Sequence, residues 1–248
     1  DLEKKMNNSI ISKKADIGKN VTIGSFVKIY DNVTIGDNTI IEDHCVLGLP
    51  NKHSNGNLVI GNNGHIRSHS ILYEGSIFGE NFYTGHHCLI RENNKAGKNL
   101  QIGSYAELEG SIDIGDYSRL HSKVQISKKV KIGSFCYLFP RVQTSDDPLP
   151  PSHIARPPEI GDLSVIAINT LILPNTKIRK NSFIGASSVV SGEFVANSFI
   201  AGSPAKRISD ISKLRLPEYG LKHPWYNHFR DAFPEESQEL LTKIIDSI

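Results

Sequence analysis

ISKKADIGKNVTIGSFVKIYDNVTIGDNTIIEDHCVL, residues 11–47, places an aliphatic side chain at every sixth position: Ile11, Ile17, Ile23, Ile29, Ile35, Ile41 and Leu47. A helix would need apolar spacings of three and four, and a free-standing antiparallel sheet would need turn clusters between its strands. Neither is present. Outward from this stretch the count lapses, resumes at Ile60, holds to Thr144, lapses again and runs from Ile160 to Ala196. Of the 29 hexad heads so defined, 24 are Ile, Leu or Val, so the period belongs to most of the chain.

The other hexad positions have physical reasons of their own. Gly follows the head in 13 units, and the fourth position is Asn in ten, among them Asn20, Asn38, Asn63, Asn81 and Asn99. Both residues tolerate left-handed or tight backbone, which a chain turning every six residues needs at its corners. The fifth position is mostly small or β-branched, as at Ala15, Val21, Val27, Ser70 and Ser188, which suits a side chain pointing into a narrow interior. Cys45, Cys88 and Cys136 all fall there. They form no CxxC pair and read as reduced core filler in a cytoplasmic protein. Three hexads make one triangular coil, so the expected fold is an all-β solenoid. Residues one coil apart should stack at the strand spacing of roughly 4.8 Å.

Two long interruptions break the register, at 48–59 (GLPNKHSNGNLV) and at 145–159 (SDDPLPPSHIARPPE), which holds five of the twelve prolines. Long loops in a regular scaffold are commonly functional. Repeats cover residues 11–208, and 209–248 form a tail expected to cap the end of the solenoid or to pack on a neighbouring subunit. Within it, residues 234–246 have Pro234 at the start, acids in the first turn, and Leu240, Leu241, Ile244 and Ile245 on one face, which predicts an amphipathic helix.

Twenty-eight basic residues against 26 acidic ones give a net charge of +2, which argues against a general nucleic-acid binder. No apolar run reaches the length of a transmembrane span, and DLEKKMNNSI lacks the apolar stretch of a signal peptide. The chain opens on Asp1, and Met6 is a candidate native start.

Three stretches carry a family resemblance. IGASSVVSGEFVANSFIAGSPAKRI (184–208) resembles the closing coil of hexapeptide-repeat acetyltransferases, and IGDLSVIAINTLILPNTKI (160–178) resembles the coil before it. YEGSIFGENFYTGHHCLIRENN (73–94) is similar to bacterial acyltransferases that modify nucleotide-linked amino sugars for surface polysaccharides. The resemblance implies a left-handed parallel β-helix, a homotrimer with active sites between adjacent prisms, and acetyl-CoA or another acyl-CoA as co-substrate, with no metal. By position, Ala167, Ala186, Pro204 and Lys206 match the CoA-binding segment, and Lys206 would meet a CoA phosphate as a point charge. IAIN, GASS and GSPAK stand where the family pattern has IGAN, GAGS and GNPAK, which alters side-chain size near the thioester arm.

Candidates for the chemistry come from stacking arithmetic. His69 and His87 are eighteen apart at the Asn-type corner position, Glu74 and Glu92 stack on the next corner, and Tyr73, Arg91 and Glu109 form a third column. Five of the ten histidines lie between residues 65 and 121. His87 or His86 is the expected general base, with an imidazole suited to neutral pH. Glu92 is expected to orient it or to hold an acceptor amine. His69, Glu74, Arg91, Asn93 and Asn94 are the expected contacts to a nucleotide-sugar acceptor. The leading function is N-acylation of such a sugar. The alternatives are O-acetylation of a sugar, polysaccharide or antibiotic hydroxyl, a metal enzyme of the gamma carbonic anhydrase type, and a non-catalytic solenoid.

Overall fold

The computed structural model describes residues 8–248; Met6 lies outside the described residues. Short strands form three parallel sheets of ten, ten and eleven strands, each strand pairing with the third before and the third after it. The first sheet runs from Ile10–Ile11 to Val189–Val190 and the second from Asp16–Ile17 to Glu193–Phe194. The third runs from Thr22–Ile23 to Ser198–Gly202, to which Ala205–Asp210 adds antiparallel. The result is a left-handed parallel β-helix of ten coils, a prism about 45 Å long at the usual strand spacing.

Hexad heads and fifth positions fill the interior. Leu47, Ile66, Leu72, Ile90, Leu108 and Ile126 are wholly buried, and so are the fifth-position residues Cys45, Ser70, Ser118 and Cys136. A hydroxyl is tolerated there because it bonds to backbone. Ser118 Oγ donates to Gly133 O at 2.8 Å and accepts from Cys136 N at 3.1 Å. Burial pushes the three thiols up, Cys45 and Cys88 to about 11 and Cys136 to about 12. Such thiols are inert as nucleophiles. A chromogenic disulfide reagent should therefore label none of them in the native protein and all three after unfolding. Fast labelling of the native chain would contradict core placement.

Where a glycine follows the head, it answers a contact between coils. At Gly133 an added Cβ would sit 2.5 Å from the Asp162 backbone nitrogen and from its Oδ1. That carboxylate accepts from Ser134 N at 2.9 Å and so ties one corner to the next. At the following position Asn20, Asn38, Asn63, Asn81 and Asn99 all have φ between 56° and 58°.

Within regular coils partners are eighteen apart, as in Leu72 with Ile90. Across the first loop Ile41 pairs with Ile66, an offset of 66 − 41 = 25, and across the second Ile132 pairs with Ile160, an offset of 28. Near the end the offset drops to 16, with Ile178 opposite Phe194 and Ile184 opposite Ile200. Phe194, not Ala196, therefore takes the head position after Val190, and Ile200 takes the one after it. Gly192 (φ 93°) stands in the shortened turn before it.

The tail does not cap the prism. Its aromatics fold back along the flank onto the corner between the second and third sheets, where Tyr117, Phe135 and Leu163 replace the Asn ladder. Trp225, Phe233 and Leu241 bury themselves there, and Trp225 Nε1 donates to Leu163 O at 3.1 Å. The last coil is followed instead by the antiparallel return of Ala205–Asp210. The C-terminal helix spans Gln238–Ile245 after a 3-10 turn at Glu235–Ser237, inside the expected 234–246. Among the described residues, no helix is long and apolar enough to cross a membrane.

Candidate active site

The corner between the third and first sheets gathers the histidines. At its left-handed position Phe26, His44, His69, His87 and Tyr105 stack as one ladder of rings, with centroids 5.0, 4.7, 4.7 and 4.9 Å apart. The expected stacking of His69 on His87 is present, and both side chains are exposed. Desolvation, then the charges of His44 and His87, lower the proton affinity of His69. His87 therefore has both ring faces occupied by neighbours.

His86, one residue earlier, is differently placed. Its Nδ1 lies 2.8 Å from Ser68 Oγ and 3.9 Å from Glu42 Oε2, and its Nε2 lies 3.4 Å from Arg67 Nη1. Arg67 has no lone pair to offer, so Nε2 is the unprotonated nitrogen and Nδ1–H donates to Ser68, an assignment made from the partners. Glu42 in turn accepts from His65 Nε2 at 2.8 Å and from Ser68 N at 3.1 Å. Burial raises the Glu42 carboxyl, but the bonds from His65 and Ser68 and the nearby charges of His65 and Arg67 outweigh it and hold it below its ordinary value. The Arg67 guanidinium sits over the Tyr83 ring, 5.3 Å from its centre. The imidazole as a whole is 42% exposed, and the one contact of Nε2 is the long one to Arg67.

Glu42, His65, Arg67 and Ser68 were missed from sequence: the 25-residue offset across the first loop hides Glu42 beneath Arg67, whereas Ser68 stands a regular eighteen residues before His86 and the stacking count could have found it. The carboxylate expected beside the histidine, Glu92, is elsewhere. It lies on the corner between the first and second sheets, 5% exposed, forked by Arg91 at 3.1 and 3.2 Å and bonded by Asn51 Nδ2 at 3.3 Å. Glu74 accepts from Asn51 N and Asn32 Nδ2, and Asn93 bonds Asn55 N and His53 O. These side chains fasten the first loop to the prism. Asn94 is fully buried, with Ser76, Arg91 O and Ile112 N using its amide, so it offers nothing to a sugar.

Two of the four residues matched to the CoA segment share the His86 edge. Backbone bonds link the successive turns from Ser68 and His86 through Ser104, Ser122, Pro140 and Ile168 to Ser187, so Ala167 and Ala186 lie further up the same corner. Ile168 is four coils above His86, about 19 Å at the strand spacing. Pro204 and Lys206 are exposed on the terminal antiparallel return. Beside Ala167 a cavity of about 380 Å³ opens between the third sheet and the tail, walled by Tyr137, Phe139, Phe183, Trp225 and Phe229. A larger concavity, about 880 Å³, runs instead along the second sheet. Its outward ladder alternates Lys95, Asp113, Lys131, Glu159 and Lys177, and its wall contains no histidine, so it has no group suited to proton transfer at neutral pH.

The family model described as bacterial transferase hexapeptide (six repeats) matches residues 14–48. Repeat and fold together define a hexapeptide-repeat, left-handed β-helix protein. No curated protein matches the chain. Among solved structures it is similar to the UDP-N-acetylglucosamine acyltransferase from Campylobacter jejuni, with 18% identity, a TM-score of 0.57, and coverage of 95% of this chain and 80% of that one. The Arabidopsis UDP-N-acetylglucosamine acyltransferase gives 16% identity and 0.55 over 93% and 78%. LpxA from Acinetobacter baumannii gives 25% identity and 0.51 over 82% and 72%.

Proposed function

We propose that this chain is an acyltransferase that moves an acyl group from acetyl-CoA or a related acyl-CoA to the amino group of a nucleotide-linked sugar. The observation that carries this reading is the third–first corner, where an anchored imidazole and two of the residues matched to the CoA segment, Ala167 and Ala186, stand in line. The likeness to sugar-nucleotide acyltransferases supports the substrate class. In the reaction the acceptor nitrogen attacks the thioester carbonyl, a C–N bond forms and the C–S bond breaks. The proton lost by nitrogen passes to His86 Nε2 and then to the departing thiolate. The edge is convex and supplies only one wall, so a neighbouring prism of a homotrimer would complete the cleft. Supply of activated sugars places this work in the cytoplasm.

One observation favours a second reading, transfer to a hydroxyl. An alcohol needs its proton removed, and His86 is held for that task by Ser68. Release of free thiol from acetyl-CoA, followed over a panel of UDP- and dTDP-linked amino sugars and their hydroxyl counterparts, separates the two. An amino sugar turning over well above its hydroxyl partner supports the first. The reverse order supports the second, and no thiol release with any acceptor overturns both.

A further inference from the structure

We propose that Glu42 is a positioning residue that fixes the orientation and the tautomer of the His86 ring, acting through Ser68 and His65. The proposal rests on the acyl-transfer reading for its purpose but not for its test. Glu42 belongs to the second coil and His86 to the fourth, so no local sequence relation joins them. Ser68 lies between. Its backbone N–H donates to Glu42 Oε2 at 3.1 Å, and its hydroxyl meets His86 Nδ1 at 2.8 Å. The other carboxylate oxygen takes His65 Nε2 at 2.8 Å, which leaves the Glu42 head little freedom to turn.

The charge lies on the side of Nδ1, 3.9 Å away, where it favours a proton on that nitrogen and leaves Nε2 as the basic one. Arg67, near Nε2, pulls the same way on the tautomer but opposes protonation of the ring. The remaining titratable groups around His86 are Asp43, in the same column, and His69 and His87 in the adjoining ladder, with Tyr83 beneath Arg67. Glu42 is the only carboxylate within salt-bridge distance of the His86 ring among the described residues. Glu92, expected in this role from sequence, already has Arg91 as its partner.

The test reads the two ring nitrogens of His86 by 15N resonance in wild-type chain and in Glu42→Gln, an isosteric change that keeps an acceptor for Ser68 N. His86→Gln identifies the resonances. In wild type the proton of the neutral ring should sit on Nδ1, and removing the anion should leave the two tautomers mixed. With an active acceptor in hand, kcat should fall about tenfold in Glu42→Gln while KM stays within a few-fold. An unchanged tautomer in a folded Glu42→Gln chain overturns the proposal whether or not acyl transfer is found. Absence of transfer with an altered tautomer instead counts against the acyl-transfer reading alone.

Discussion

His86→Ala should lower kcat by about 10²–10⁴, the range a positioned general base contributes, while CoA binding measured by calorimetry stays within a few-fold of wild type. The expectation follows from what each nitrogen touches. Nδ1 is anchored to Ser68, Nε2 has only the long 3.4 Å contact to Arg67, which an acceptor would displace, and the ring lies in line with Ala167 and Ala186. His87→Ala is the control. That ring is sandwiched between His69 and Tyr105, so its loss should cost ladder packing and less than about tenfold in rate. Equal losses in the two variants would remove the reason for preferring His86. A mild effect in both points to an amine that arrives deprotonated and gives its proton directly to the thiolate.

Trp225→Ala should release the tail. Trp225 is 5% exposed, meets Tyr137 and Phe233 at 5.7 and 5.4 Å between ring centres, and donates to Leu163 O. Truncating a buried tryptophan costs about 3–5 kcal/mol, enough to shift the docked fraction of the tail by a hundredfold or more. Limited proteolysis between residues 209 and 230 measures it. The variant should be cut there far faster than wild type while the coils stay intact, because the prism core is a separate cluster from the one beneath the tail. Cutting at the wild-type rate would mean the tail is held elsewhere.

The seat of the tail was readable in principle. At one corner the Asn ladder of Asn63, Asn81 and Asn99 gives way to Tyr117, Phe135 and Leu163 before returning to Asn181. Large apolar residues at a left-handed, outward position have no reason to be there unless something covers them. The same logic applies at the other corner, where rings and histidines stand in place of Asn from Phe26 to Tyr105. At both corners the readable signal is a run of rings in place of Asn.

What the sequence determined by itself was the coil. Aliphatic heads at a period of six, glycine where the next coil's Asp, Asn or Ser approaches, and Asn at left-handed corners are local requirements repeated many times, and a linear count reads them. The same count paired His69 with His87 correctly because no loop lies between them. Only the tertiary structure decided which carboxylate meets which imidazole. Seven extra residues in the first loop turn an eighteen-residue offset into 25 and bring Glu42 to Ser68 and His86, while Glu92 stays on another corner with Arg91. The physical reason is that strand hydrogen bonds fix the stacking of coils and are indifferent to the length of chain looped out between them.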